Sequence, residues 1–139
     1  IDFLPYHVAE HGNSIFEEVE SYFLQDKQLQ EFCDKAIAII LKVICYYPFE
    51  VYVEEYPPLK PKRNGWLKEK RCDLLVKILK RVIMKKKGQV DILLGKENSI
   101  ISITGGVLSI AVYNESESLK DLLDKVVETE GLYYWKYRV

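Results

Sequence analysis

Three features of the sequence predict an α+β fold: a mostly antiparallel sheet of about five strands, with four helices packed chiefly on one face. Apolar residues recur at helical spacing before Pro48, and the period turns extended, with glycine-rich joints, after Gly88. A clean amphipathic stripe then returns near the C-terminus. The chain has 139 residues, 48% of them hydrophobic, which suffices to close one core, so residues 1–139 are expected to form a single domain.

Asn13 and Ser14 are suitable N-caps for a first helix over residues 15–24, where Ile15, Val19, Tyr22 and Phe23 share a face. Glu17, Glu18 and Glu20 favour the positive end of its dipole. Asp26 opens a second helix. There Leu29, Phe32, Cys33, Ala36, Ile37, Ile40, Leu41 and Ile44 follow i, i+3, i+4 spacing until Pro48 stops it. This helix is apolar nearly all round at Ile39 and should be the central buried one.

Residues 49–56 alternate Phe49, Val51 and Val53 with Glu50, Tyr52 and Glu54, the period of a half-buried strand. Pro57 and Pro58 end it, and a surface loop runs to Gly65. From Trp66 to Lys87 the spacing of Leu67, Leu74, Leu75, Ile78, Leu79, Val82 and Ile83 predicts a long third helix, closed by Gly88. Residues 90–94, 100–104 and 107–113 read as an antiparallel meander, joined through Gly95-Lys96-Glu97-Asn98 and Gly105-Gly106. Asn114, Ser116 or Ser118 caps a fourth helix carrying Leu119, Leu122, Leu123, Val126 and Val127. Gly131 ends that helix, and residues 132–137 are expected to return as an aromatic strand. The predicted order is ααβαβββαβ.

No apolar run approaches the roughly 20 residues of a bilayer span. The first residues carry Asp2, Pro5 and Glu10 and lack the basic-then-apolar plan of a signal peptide, so a cytoplasmic protein is expected. Cys33, Cys45 and Cys72 are odd in number, lack C-x-x-C spacing and have apolar helical neighbours, which predicts buried thiols in a reducing compartment.

One pattern points to hydrolysis. His7-Val8-Ala9-Glu10-His11 spells H-x-x-E-H, in which a helix would set His7 and His11 one turn apart as zinc ligands, with Glu10 as base. Pro5 precedes the motif, Gly12 follows it, and the predicted helix starts after it, so no metal site is expected. There is no G-x-S-x-G elbow, and Gly105-Gly106 lacks the spacing and following helix of a phosphate cradle. Neither catalytic residues nor a cofactor is therefore expected.

Charge is segregated along the chain despite a net −1. Residues 1–58 hold three Lys/Arg and eleven Asp/Glu, residues 59–88 twelve against two, and residues 89–139 five against eight. The basic block places Lys77, Lys80, Arg81 and Lys85 on the polar side of the third helix, where they could neutralise phosphates. With Trp66 as its one stacking residue and no nucleic-acid motif, the block reads instead as a solvated face balancing acidic neighbours. The acidic first half mixes Glu17, Glu18, Glu20, Glu50, Glu54 and Glu55 with Tyr52 and Tyr56. Such a surface suits a basic protein partner, because tyrosines bring buried area and carboxylates steer encounter.

The last forty residues add a resemblance. Ile100-Ile101-Ser102-Ile103, the Leu108 to Asn114 strand, the Ser116 to Glu130 helix and the closing Gly131-Leu132-Tyr133-Tyr134-Trp135 resemble small bacterial immunity proteins of polymorphic-toxin and contact-dependent-inhibition systems. The resemblance implies a non-enzymatic cytoplasmic protein that binds and neutralises one cognate toxin domain, often a nuclease. It transfers no binding residues.

Overall fold

The computed structural model describes residues 1–8, 15–54 and 64–136. In chain order its elements are α1 (Ile15–Phe23), α2 (Asp26–Ile44), β1 (Glu50–Glu54), β2 (Gly65–Trp66), α3 (Cys72–Lys85), β3 (Gln89–Leu94), β4 (Ser99–Thr104), β5 (Ile110–Tyr113) and α4 (Glu117–Thr129). The five strands form one antiparallel sheet in the order β2-β1-β3-β4-β5. This is the α+β class that the patterning predicts.

Alternation decides which face of the sheet is covered. Val51 and Val53 of β1, Val90, Ile92 and Leu94 of β3, Ile101 and Ile103 of β4, and Ile110 of β5 are all at most 1% exposed. They join the buried sides of α2, α3 and α4 in one core. α2 touches α1, α3 and α4, and eight of its residues are buried, as expected of a central helix. At about 25 cal/mol per Å² of apolar area, this layer carries most of the favourable free energy of folding.

Local chemistry fixes the joints. Lys86 closes α3 in the left-handed conformation, with φ 58°, and Gly88 follows at φ 93°. The β4–β5 turn then rests on this end of the helix. A Cβ on Gly105 would stand 2.4 Å from the Lys87 backbone nitrogen and 2.6 Å from the Val82 carbonyl oxygen, a separation only glycine permits. Ser116 caps α4 by accepting a hydrogen bond from the Leu119 N–H at 3.1 Å. The Ser116 hydroxyl also bonds Glu97 in the β3–β4 turn, tying the two connections together.

Three expectations are corrected. The third helix does not begin at Trp66: Trp66 belongs to β2, opposite Tyr52, and the Leu67 N–H donates to the Val51 carbonyl at 2.8 Å. The four consecutive charged residues at 68–71 offer nothing to bury, so α3 starts only where Leu74 and Leu75 can reach the core. The aromatic tail is not a strand over its described part. Leu132 is buried and Tyr133 exchanges hydrogen bonds of 2.8 and 2.9 Å with Asp2, but the pairing is a single bridge. The fifth strand is thus β2, and Tyr137 lies outside the described residues. Finally, Cys33 is buried, whereas Cys45 and Cys72 are exposed because they sit at the ends of α2 and α3 instead of on their inner stripes.

Candidate protein-binding face

The helices leave the other face of the sheet uncovered by any described element. Strand periodicity sends every second side chain there, and the register aligns them into rows. One row runs Trp66, Tyr52, Asp91, Ser102, Ala111, and the next runs Glu50, Leu93, Ile100, Tyr113. Glu54, Gln89 and Thr104 form a third. Trp66 is 57% exposed, Tyr113 58% and Ile100 37%. The Trp66 and Tyr52 rings meet edge to face, with centroids 5.3 Å apart.

A polar cluster occupies the middle of this surface. The Ser102 hydroxyl donates to Asp91 Oδ1 at 2.6 Å, and Gln89 Nε2 donates to the same oxygen at 2.9 Å and to Ser102 Oγ at 3.1 Å. Two donors thus hold the Asp91 carboxylate in place, leaving its other oxygen unused by these bonds. Near the β1 edge, Lys70 Nζ lies 2.6 Å from Glu50 Oε1 and 5.7 Å from the centre of the Phe49 ring. The outward strand positions carry three carboxylates, Glu50, Glu54 and Asp91, and no lysine or arginine. Glu50 is offset by Lys70, so Asp91, in the middle of the face, places a carboxylate among aromatic and aliphatic area.

The acidic, tyrosine-bearing surface read from the sequence is divided by the fold. Glu50, Tyr52 and Glu54 stand on the open face. Glu17, Glu18 and Glu20 belong to α1, which packs on α2 in the helical layer. Phe23 of α1 meets the ring of Phe3 at 5.4 Å, and the segment leading to Phe3 pairs along β5, so α1 lies toward the sheet edge farthest from β2. Glu55 and Tyr56 lie outside the described residues. The residues that sequence reasoning did not group with β1 are Trp66, Asp91, Ile100 and Tyr113. The alternation of β3 and β4 signals which of their side chains point outward, but only the strand order sets them beside Tyr52. Acid and tyrosine meet again in a concavity of about 500 Å³ along the C-terminal half of α4, lined by Asp124, Glu128, Tyr133 and Tyr134.

The other candidates also have definite places. His7 and Val8 belong to an irregular segment instead of a helix, and the exposed His7 ring lies 6.1 Å from that of Trp135. Glu10 and His11 lie outside the described residues. Among the described residues, no three His, Cys, Asp or Glu side chains are grouped to hold a metal ion. No described helix is long and apolar enough to cross a membrane. Lys77, Lys80 and Lys85 are exposed on α3, and Arg81 beside them is half-buried. No protein-family model, curated protein or solved structure gives a significant match to the chain. The functional reading therefore rests on this surface chemistry and the resemblance of the C-terminal part.

Proposed function

We propose that the chain is a non-enzymatic, immunity-type binding module, which neutralises a cognate bacterial toxin domain in the cytoplasm by holding a basic region of it against the open sheet face. The observation that supports this reading is the composition of that face. Trp66, Tyr52, Ile100 and Tyr113 offer the buried area of an interface core, and Asp91 at its centre supplies a carboxylate for a basic side chain of the partner. Asp91, fixed by Ser102 and Gln89, is positioned to receive an incoming arginine or lysine with little loss of side-chain entropy.

The test is calorimetry against the toxin domain encoded beside the gene. Micromolar or tighter binding is expected, with Trp66→Ser and Tyr113→Ser each weakening it by about 30-fold or more, the loss typical of aromatic anchors. Asp91→Lys should weaken it further through like-charge contact, while Glu17→Lys on α1 should leave it within about threefold. Absence of binding at micromolar concentration would overturn the function. Tight binding that is indifferent to Trp66, Asp91 and Tyr113 would overturn the choice of face.

A further inference from the structure

The sequence suggests that the lysines of the third helix balance acidic neighbours, but among the described residues no carboxylate pairs directly with those lysines. Lys77, Lys80, Lys85, Lys86 and Lys87 are all exposed, and among the described residues none of them forms an ion pair. Three lysines elsewhere do reach carboxylates, Lys42 with Glu130 at 2.8 Å, Lys70 with Glu50 and Lys120 with Asp124 at 2.7 Å, but what sets the α3 lysines apart is their concentration, five within eleven residues of one helix and its C-terminal end. Unpaired like charges repel one another, so a ridge of them costs stability unless something outside the chain neutralises it.

We infer that this ridge is a second interaction surface, separate from the open sheet face, and that its partner is the phosphate backbone of a nucleic acid. Three observations select that partner over other polyanions. The apolar side of α3, with Leu75, Ile78, Leu79, Val82 and Ile83, is consumed by the core, so the helix has no stripe left to insert into a lipid headgroup layer. No large apolar side chain of α3 is exposed between the lysines, so the ridge lacks the desolvated centre that an acidic protein partner would need. The geometry also suits a charged backbone that crosses the exposed side of α3. Lys77, Lys80 and Lys85 spread over about 140° of the solvent side of the helix and span about 12 Å along it at 1.5 Å per residue, the length of three or four phosphate steps along one duplex strand. The contacts are to phosphates alone, so binding is independent of base sequence.

Fluorescence anisotropy with a labelled DNA duplex of about 20 base pairs tests this, using the complete chain. Binding is expected at about 10–100 µM in low salt. It should weaken by about 50-fold between about 50 and 200 mM salt, the dependence expected for three phosphate contacts. The variant K77E/K80E/K85E should lose binding while keeping the far-ultraviolet circular dichroism and melting profile of the parent. The milder K77Q/K80Q should lower the salt slope by about two. Asp91→Asn, on the other face, should change nothing, which separates failure of this inference from failure of the toxin-binding reading. No duplex binding at low salt, or equal binding by K77E/K80E/K85E, would overturn the inference. Tighter association with polyglutamate or with phosphatidylserine vesicles than with the duplex would do so as well.

Discussion

The two faces of the sheet are built from the same strands and differ in what they have been given to touch. On β4, Ile100 and Ile101 are consecutive isoleucines of equal intrinsic hydrophobicity. Ile101 is 0% exposed beneath the helices, and Ile100 is 37% exposed on the open side. The covered positions of β1, β3 and β5 are likewise aliphatic, whereas the open positions mix Tyr52, Trp66 and Tyr113 with carboxylates and a hydrogen-bonded Gln89–Asp91–Ser102 cluster. One face is a core that must exclude water. The other is an apolar area kept compatible with water by acidic and amide groups.

The isoleucine pair offers the largest effect by which this contrast can be broken. Ile101→Ala removes buried methyl groups from a site the sheet and helices enclose, and should cost about 2–5 kcal/mol in urea denaturation. Ile100→Ala removes the same atoms from a partly hydrated site, where the transfer term is much smaller, and should cost less than about 1 kcal/mol. Equal losses at the two positions would mean that the open face is not open. Ile100→Ala should instead register in partner binding.

A second, smaller contrast separates the core layer from its rim through the thiols. Burial pushes the Cys33 thiol from its ordinary 9.0 up to about 11, and the neighbouring Asp34 carboxylate adds to the effect. At pH 8 both values lie above the solution pH, so Cys33 is a neutral thiol, and its reactive thiolate is about a hundredfold scarcer than for an unshifted cysteine. Cys45 and Cys72 are exposed. Ellman's reagent should therefore modify two thiols promptly and the third only after denaturant is added. Three equally fast thiols would show that α2 is not seated as described.

How far these contrasts were legible in the sequence depended on how local their causes are. The inner residues of β1, β3 and β4 can be read from alternation alone, and α2 and α4 from a 3.6-residue period, since both signals come from side chains a few positions apart. β2 was hidden because a two-residue strand has no period of its own. It exists through the Tyr52–Trp66 pairing and the Leu67 to Val51 hydrogen bond, contacts across a connection of more than ten residues. The tail reads as a strand from its aromatic content, yet its one described bridge is to Asp2, at the opposite end of the chain. The candidate face suffered in the same way. Glu50, Tyr52 and Glu54 are visible as an acidic, aromatic strand edge, but their companions arrive from β2, β3, β4 and β5 through strand order, which composition does not encode. Cysteine burial was misread because apolar neighbours in sequence do not fix a residue's angle around its helix, and Cys45 and Cys72 sit where the helix ends.

The smallest effect tests the polar cluster, where the two faces come closest to resembling each other. Ser102 points to the open side yet is only 6% exposed, because Gln89 and Asp91 close over it. Ser102→Ala removes the 2.6 Å donor to Asp91 Oδ1 and leaves that oxygen with Gln89 Nε2 alone. If water fills the place of the hydroxyl, the loss is that of one hydrogen bond to a charged group with partial compensation, about 1 kcal/mol. A loss near that of Ile101→Ala would make the cluster part of a dry interior, and the Asp91 carboxylate could not then be the point at which a basic side chain enters. The expected small cost in stability, joined to a larger loss in partner binding as Asp91 loses one of its two fixing donors, is the combination that a held but accessible carboxylate requires.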